Sequence, residues 1–199
     1  MEEKKLNEKE SLELIAQMIQ NSKKNVRENG GGYTLVWGYV TILVSLLIYT
    51  GWVILGQYWI FFGWFLIPVL GKLGNIWLER KHKPVLIKTY LDRVIRYIWL
   101  VMGVVCMAVA AAAFLVNLPI LFFVGILMGA AITLTGCVTN AKTYTAFGIA
   151  GMLLSFLCLL VKGPEQILVF AGVFLVMMVI PGHILNAEIR EQGSQKASC

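Results

Sequence analysis

The sequence predicts an all-α integral membrane protein, a bundle of six transmembrane helices preceded by an amphipathic cytoplasmic helix. Three observations predict this fold: an apolar composition, long tracts without charge, and cations that collect beside those tracts. Of the 199 residues, 58% are apolar and 14% are charged, whereas soluble domains are about 45–50% apolar and about 25% charged. So few polar residues cannot cover a water-soluble fold, which excludes a soluble enzyme, a disordered protein and a secreted disulfide scaffold.

Four tracts that contain no Lys, Arg, Asp or Glu supply the predicted spans. The tracts are residues 29–71, 97–141, 143–161 and 166–187, and they are 43, 45, 19 and 22 residues long. Because a helix needs roughly 20 apolar residues to cross a bilayer, each long tract holds two spans and each short tract holds one. The predicted transmembrane domain covers residues 33–186, with spans at about 34–55, 58–78, 95–116, 119–139, 144–161 and 165–185, and a cytoplasmic tail at 187–199.

The distribution of cations predicts the orientation of these spans. Cytoplasmic segments of membrane proteins collect Lys and Arg. If the amino terminus lies in the cytoplasm, Lys162 is the one residue among 17 Lys and Arg that falls on the outer side of the membrane. Both termini are therefore expected on the cytoplasmic side. The same rule explains the net charge of +6, so we expect no nucleic-acid partner.

Residues 8–28 are predicted to form an amphipathic helix on the cytoplasmic side. At 100° per residue, its apolar side chains share one face and most of its charged side chains share the other. The three glycines at 30–32 are expected to end this helix and to act as a flexible linker, so residues 1–32 form one segment. The apolar face needs a partner, which is the membrane interface, the same helix of a second subunit, or a cytoplasmic protein; a loosely ordered arm is the alternative. This face consists of Leu12, Ile15, Met18, Ile19 and Val26.

A basic segment joins spans two and three. Anionic lipid headgroups attract clustered Lys and Arg beside a membrane, so we expect these cations to bind headgroups of the lipid bilayer. They are Arg80, Lys81, Lys83, Lys88, Arg93 and Arg96.

Small residues at helical spacing predict close contacts among spans three, four and five. Such residues let two helix backbones approach in a membrane, where no hydrophobic effect drives association. The same stripes predict a homo-oligomer. They are Ala108 and Ala112 in span three, Gly125 and Gly129 in span four, and Gly148 and Gly151 in span five.

Two groups of polar residues inside the spans are candidates for a pocket or a path. In span two, Pro68 is expected to kink the helix beside Lys72 and Asn75. Lys72 lies near the cytoplasmic end, where a lysine can also snorkel to the headgroups. The second group lies toward the cytoplasmic ends of spans four and five, and its hydroxyls can instead bond to their own helix backbone. Its members are Thr133, Thr135, Thr139, Asn140 and Tyr144.

The sequence contains no catalytic or metal-binding pattern. It has neither a GxSxG nor an HExxH motif, and no acidic residue lies near a predicted membrane midplane. Its four cysteines form no CxxC pair, and His183, one of two histidines, is expected to end span six. We therefore expect no enzyme, no metal and no cofactor.

Four segments of the chain resemble a group of small bacterial inner-membrane proteins with six spans. They are SLELIAQMIQNSKK at 11–24, GGYTLVWGY at 31–39, YLDRVIRYIWLVMG at 90–103 and VIPGHILN at 179–186. The resemblance implies a location in the bacterial inner membrane, and it implies no activity or site residue.

Two functions follow as expectations. The first is a non-enzymatic multi-pass membrane protein whose cytoplasmic helix and basic segment bind lipid headgroups, another subunit or a partner protein. The alternative is a small-solute transporter or channel with a path between spans two, four and five.

Overall fold

The structure is a computed structural model that describes residues 8–81, 90–113, 115–116 and 118–197, and every regular element within these ranges is a helix. Six helical stretches in this part of the chain are long and apolar enough to cross a membrane, which confirms the predicted number. We call them spans one to six, and they are Gly30–Leu55, Tyr58–Arg80, Tyr90–Ala113, Ile120–Thr139, Lys142–Leu160 and Glu165–Glu188.

The spans are built from α-helices and two irregular helical segments. In chain order, the helical elements are α1 (Glu8–Leu55), a 3₁₀ helix (Tyr58–Phe65), α2 (Leu66–Lys81), α3 (Tyr90–Ala113), α4 (Ile120–Thr139), α5 (Lys142–Ser155), α6 (Leu157–Leu160), α7 (Glu165–Phe174), a π segment (Leu175–Val179) and α8 (Ile180–Ala197). The 3₁₀ helix and α2 together form span two, and α5 and α6 form span five. Span six runs from α7 through the π segment into α8.

The predicted glycine linker at 30–32 is wrong. Helix α1 continues through these glycines as one helix of 48 residues. The reason is tertiary packing: a Cβ atom on Gly31 would lie 2.3 Å from the Oδ1 atom of Asn186, and one on Gly32 would lie 3.0 Å from Leu78. A glycine lowers helix stability by only about 1 kcal/mol, which such contacts between helices offset. The predicted segment boundary at residue 32 is therefore not the end of a helix.

Successive spans run in opposite directions, so the bundle has two ends. We call one the basic end, because it carries exposed Arg80, Arg93, Arg96 and Lys142. The start of span one and the end of span six lie there too. The opposite end holds the turns at 56–57 and 161–164, and among the described residues its one cation is Lys162.

Spans one, four, five and six enclose the core of the bundle. Span two lies along α1, and α3 lies mainly along α4. No residue of α3 that the structure describes is buried, so spans two and three turn most of their apolar surface away from the rest of the chain. The largest fully buried side chains include Phe170, Met177, Met178, Leu185 and Val44.

The helix of span six continues past His183, whereas the sequence had predicted that span six ends there. Pro181 is fully buried inside a helix that continues to Ala197. An interior proline lacks an N–H donor, and its ring crowds the carbonyl four residues earlier, here the carbonyl of Met177. That carbonyl belongs to the π segment, whose wider turn gives the ring room. The π segment thus lets the helix pass the proline.

Candidate functional site

Glycines bring α1 into close contact with the π segment and with α8 near the basic end. A Cβ atom on Gly38 would lie 2.9 Å from the Cγ2 atom of Val179, and one on Gly182 would lie 2.8 Å from Cγ of Leu35 and 3.3 Å from the carbonyl oxygen of Gly31. Because these backbones nearly touch, α1 cannot turn about its axis without displacing α8.

A hydrogen-bonded pair fastens α5 to α1 where α1 leaves the bundle. The Thr34 hydroxyl donates to the carbonyl oxygen of Gly30 at 2.9 Å, which uses its single proton. The hydroxyl of Tyr144, 2.9 Å from Oγ1 of Thr34, is therefore the donor in the second bond. Tyr144 is only 4% exposed, so this pair is an internal part of the fold.

A second polar pair joins α1 to α8. The Tyr39 hydroxyl lies 2.7 Å from Nε2 of His183, and their rings meet edge to face with centroids 6.0 Å apart. Both side chains are exposed. Ionisable groups inside membrane spans are costly and tend to be functional. We call Thr34, Tyr144, Tyr39 and His183 the polar cluster. It consists of two separate pairs, one that links α1 to α5 and one that links α1 to α8.

The span-two candidates lie apart from this cluster. Lys72 and Pro68 are exposed, and Asn75 is partly buried with an Oδ1 atom that has no hydrogen-bond partner among the described residues. Pro68 is the third residue of α2, where a missing N–H is tolerated, and the change of helix type occurs before it, at Phe65. The irregularity of span two therefore precedes Pro68, where the sequence had predicted the kink.

The hydroxyls of span four bond to their own helix, which was one of the two interpretations of the sequence. Thr133 donates to the carbonyl of Gly129 at 2.8 Å, Thr135 to that of Ala131 at 2.7 Å, and Thr139 to that of Thr135 at 2.8 Å. Asn140 adopts the left-handed conformation, with φ 56°, at the end of α4. Of this predicted group, Tyr144 alone is seen to bond to another span.

The predicted path between spans two, four and five stays a prediction, and the structure shows where its two groups of polar residues lie. Span two packs on α1, with a Cβ atom on Gly71 reaching within 2.7 Å of the Trp37 ring and one on Gly74 within 2.5 Å of Val36. The hydroxyls of span four are satisfied on the α4 backbone.

Close packing through small residues is confirmed for α4 and α5. A Cβ atom on Gly125 would lie 2.4 Å from Oγ of Ser155, and one on Gly129 would lie 3.0 Å from the carbonyl oxygen of Gly148. Gly151 instead faces Met177 of the π segment. In span three, which lies along α4, Ala108 is exposed and Ala112 is partly buried, so Ala108 does not support the predicted contact.

The basic and amphipathic surfaces are described in part. Arg80, Arg93 and Arg96 are exposed, as a headgroup-binding surface requires, and Leu12 on the amphipathic face is 66% exposed. The side chains of the remaining predicted residues lie outside the part of the chain that the structure describes. They are Lys81, Lys83, Lys88, Ile15, Met18, Ile19 and Val26.

No family model, no curated protein and no solved structure matches this chain. The resemblance to small bacterial inner-membrane proteins therefore stays a prediction.

Proposed function

We propose that this chain is a non-enzymatic, multi-pass protein of the bacterial inner membrane that assembles with a second copy of itself through its amino-terminal helix. Both termini lie in the cytoplasm in this proposal. The observation that carries it is the continuity of α1, which runs unbroken from Glu8 into span one. We call residues 8–29 the arm.

The arm is long enough to project well beyond the membrane. Its 22 residues extend about 33 Å at 1.5 Å per residue. Leu12 is 66% exposed, so at this position the apolar face has no partner among the described residues. A helix that extends this far with Leu12 uncovered calls for a second molecule.

The spacing of apolar residues in the arm favours a second copy as that molecule. Leu12, Ile15, Ile19 and Val26 occupy alternate three- and four-residue steps, with Ser22 at the remaining position. This spacing is that of a coiled-coil seam, in which leucine and β-branched residues of neighbouring identical helices interlock. The polar Ser22 in an otherwise apolar seam would help to fix the register of two identical helices.

The arm is joined stiffly to the bundle, which supports a role in assembly rather than in tethering. Gly31 and Gly32 pack against Asn186 and Leu78, and Tyr144 holds Thr34 one turn beyond. Pairing of two arms would therefore set the orientation of two bundles. The exposed arginines at the same end would rest against anionic headgroups.

Cysteine crosslinking in native membranes tests this proposal. In a chain whose four cysteines are replaced by serine or alanine, we expect Leu12→Cys to form a disulfide-linked dimer. Glu13→Cys is the matched control, because it is also exposed and lies about 100° away on the helix. Ile19→Asp, combined with Leu12→Cys, should lower crosslinking about tenfold or more, since an unpaired carboxylate in a seam costs over 1.4 kcal/mol.

Two outcomes would reject self-assembly through the arm. One is equal crosslinking at Leu12→Cys and Glu13→Cys, which would indicate random collisions. The other is monomer alone at both positions in membranes, which would indicate that the arm meets lipid or a different protein.

A further inference from the structure

An aromatic cleft lies at the opposite end of the bundle, far from the arm. It has a volume of about 290 Å³ and lies between the end of span one, the 3₁₀ helix, the start of α4 and the start of α7. Aromatic rings and aliphatic side chains line most of it. They include Trp52, Tyr58, Phe61, Trp64, Ile120 and Ile167.

Contacts among the lining residues hold the cleft in shape. The Trp52 ring packs against those of Tyr58 and Phe61, with centroids 5.1 and 5.2 Å apart. The Trp64 ring meets buried Phe170 edge-on at 5.5 Å. On the far wall, Gln166 donates from Nε2 to the carbonyl of Cys158 at 2.5 Å. The cleft is thus preformed, as small-ligand sites usually are.

Opposite charges stand at one wall of the cleft. Lys162 and Glu165 flank Gly163 and Pro164, which line it, and both charged side chains are exposed. A Cβ atom on Gly163 would lie 2.8 Å from Oε2 of Glu165, which places the carboxylate directly over this turn. Among the described residues, neither charge forms an ion pair.

The position of the cleft indicates which ligand would fill it. Tyr58 and Trp59 beside it are exposed at the end of span two, where aromatic residues meet the headgroup layer of a bilayer. Because its lining is apolar, the cleft suits the part of a lipid next to the headgroup, and its volume is near the lower size limit of ligand pockets, about 300 Å³. Such a volume suits part of one acyl chain.

We propose that the cleft binds one phospholipid whose headgroup carries a primary amine. A segment of an acyl chain fills the aromatic cleft, the phosphate pairs with Lys162, and the ammonium group pairs with Glu165. An anionic headgroup without an amine would meet the Glu165 carboxylate and be repelled. A trimethylammonium headgroup has no N–H to donate to that carboxylate.

Native mass spectrometry of the delipidated full chain tests this proposal. The protein is mixed with equal amounts of phosphatidylethanolamine, phosphatidylglycerol and phosphatidylcholine. We expect retention of the ethanolamine lipid to exceed that of the others about fivefold, the ratio that about 1 kcal/mol from an exposed ion pair provides. Glu165→Gln should abolish the preference, and Lys162→Ala should lower the retention of all three lipids, because each carries the phosphate. Lys142→Ala, which replaces an exposed lysine at the basic end, should leave both the preference and the retention unchanged.

A second measurement uses the unaltered protein and so does not depend on the folding of variants. An ethanolamine lipid with a photoreactive group near the end of its acyl chain should crosslink to residues 52–64, 120–121 or 163–167. Equal retention of all three lipids, preference for the glycerol or choline lipid, or crosslinks confined to α3 would each overturn the proposal. Because the arm lies at the other end, failure here leaves self-assembly through the arm unaffected, and the reverse also holds.

Discussion

Alanine at Gly136 or at Gly148 is expected to lower the free energy of unfolding by about 3 kcal/mol, the upper range for overpacking a core. A Cβ atom on Gly136 would lie 2.5 Å from the backbone nitrogen of Thr145, and one on Gly148 would lie 2.8 Å from that of Thr133. A flexible side chain could move aside, but a helix backbone cannot. Each substitution must therefore push α4 and α5 apart.

Two other helical glycines provide matched controls for this prediction. Gly103 in α3 and Gly172 in α7 have no atom within 4 Å of an added Cβ atom. Alanine there should leave stability unchanged or raise it by about 0.5–1 kcal/mol, because alanine favours the helix. Thermal unfolding in one detergent measures all four. The midpoint should fall by roughly 6–12 °C for the first pair, and an equal fall at Gly103→Ala would show that the α4–α5 contact is not what matters.

Phe170→Ala is expected to destabilise the bundle by about 3–4 kcal/mol, as removal of a buried aromatic ring does. Phe170 is 2% exposed, and its ring lies 4.6 Å from that of Phe174 and 5.5 Å from that of Trp64, measured between centroids. The contact with Trp64 joins span six to span two.

Phe62→Ala is the matched control, because it removes the same atoms from a side chain that is 64% exposed. In a membrane, acyl chains replace the lost contacts of an outward-facing ring, since lipid is as apolar as the side chain. We expect its unfolding midpoint to stay within about 2 °C of the parent, less than the shift for 1 kcal/mol. If both variants lost stability equally, Phe170 would not belong to the core.

The number of spans could be predicted from the sequence, but their internal geometry could not. Long uncharged tracts determine where a chain can cross a bilayer, and the described residues include six helical stretches that are long and apolar enough to do so. Helix ends were expected at residues 30–32 and at His183, which follows Pro181 and Gly182, because glycine and proline are poor in helices. In the structure, contacts with Asn186 and Leu78 hold the first region helical, and the π segment carries the helix past Pro181.

The candidate site was harder to predict, because it depends on which spans are neighbours. Tyr39 and His183 are 144 residues apart in sequence, and no periodicity links them. The path through Lys72 and Thr133 stays a prediction, because the sequence does not show which spans are neighbours of span two. In the structure α2 packs on α1, and the 3₁₀ helix of span two borders the cleft together with the start of α4. By contrast, Gly125 and Gly129 could be identified as packing residues, since their partners lie in the next span along the chain.

Labelling of single cysteines from outside the cell tests the six-span fold most directly. In a chain without its native cysteines, Lys142→Cys and Lys162→Cys replace two exposed lysines that span five separates. With the basic end in the cytoplasm, a membrane-impermeant maleimide added to intact spheroplasts should label Lys162→Cys, and it should label Lys142→Cys only after the membrane is opened. Equal labelling of both positions before opening, or labelling of Lys142→Cys alone, would contradict the fold and its orientation.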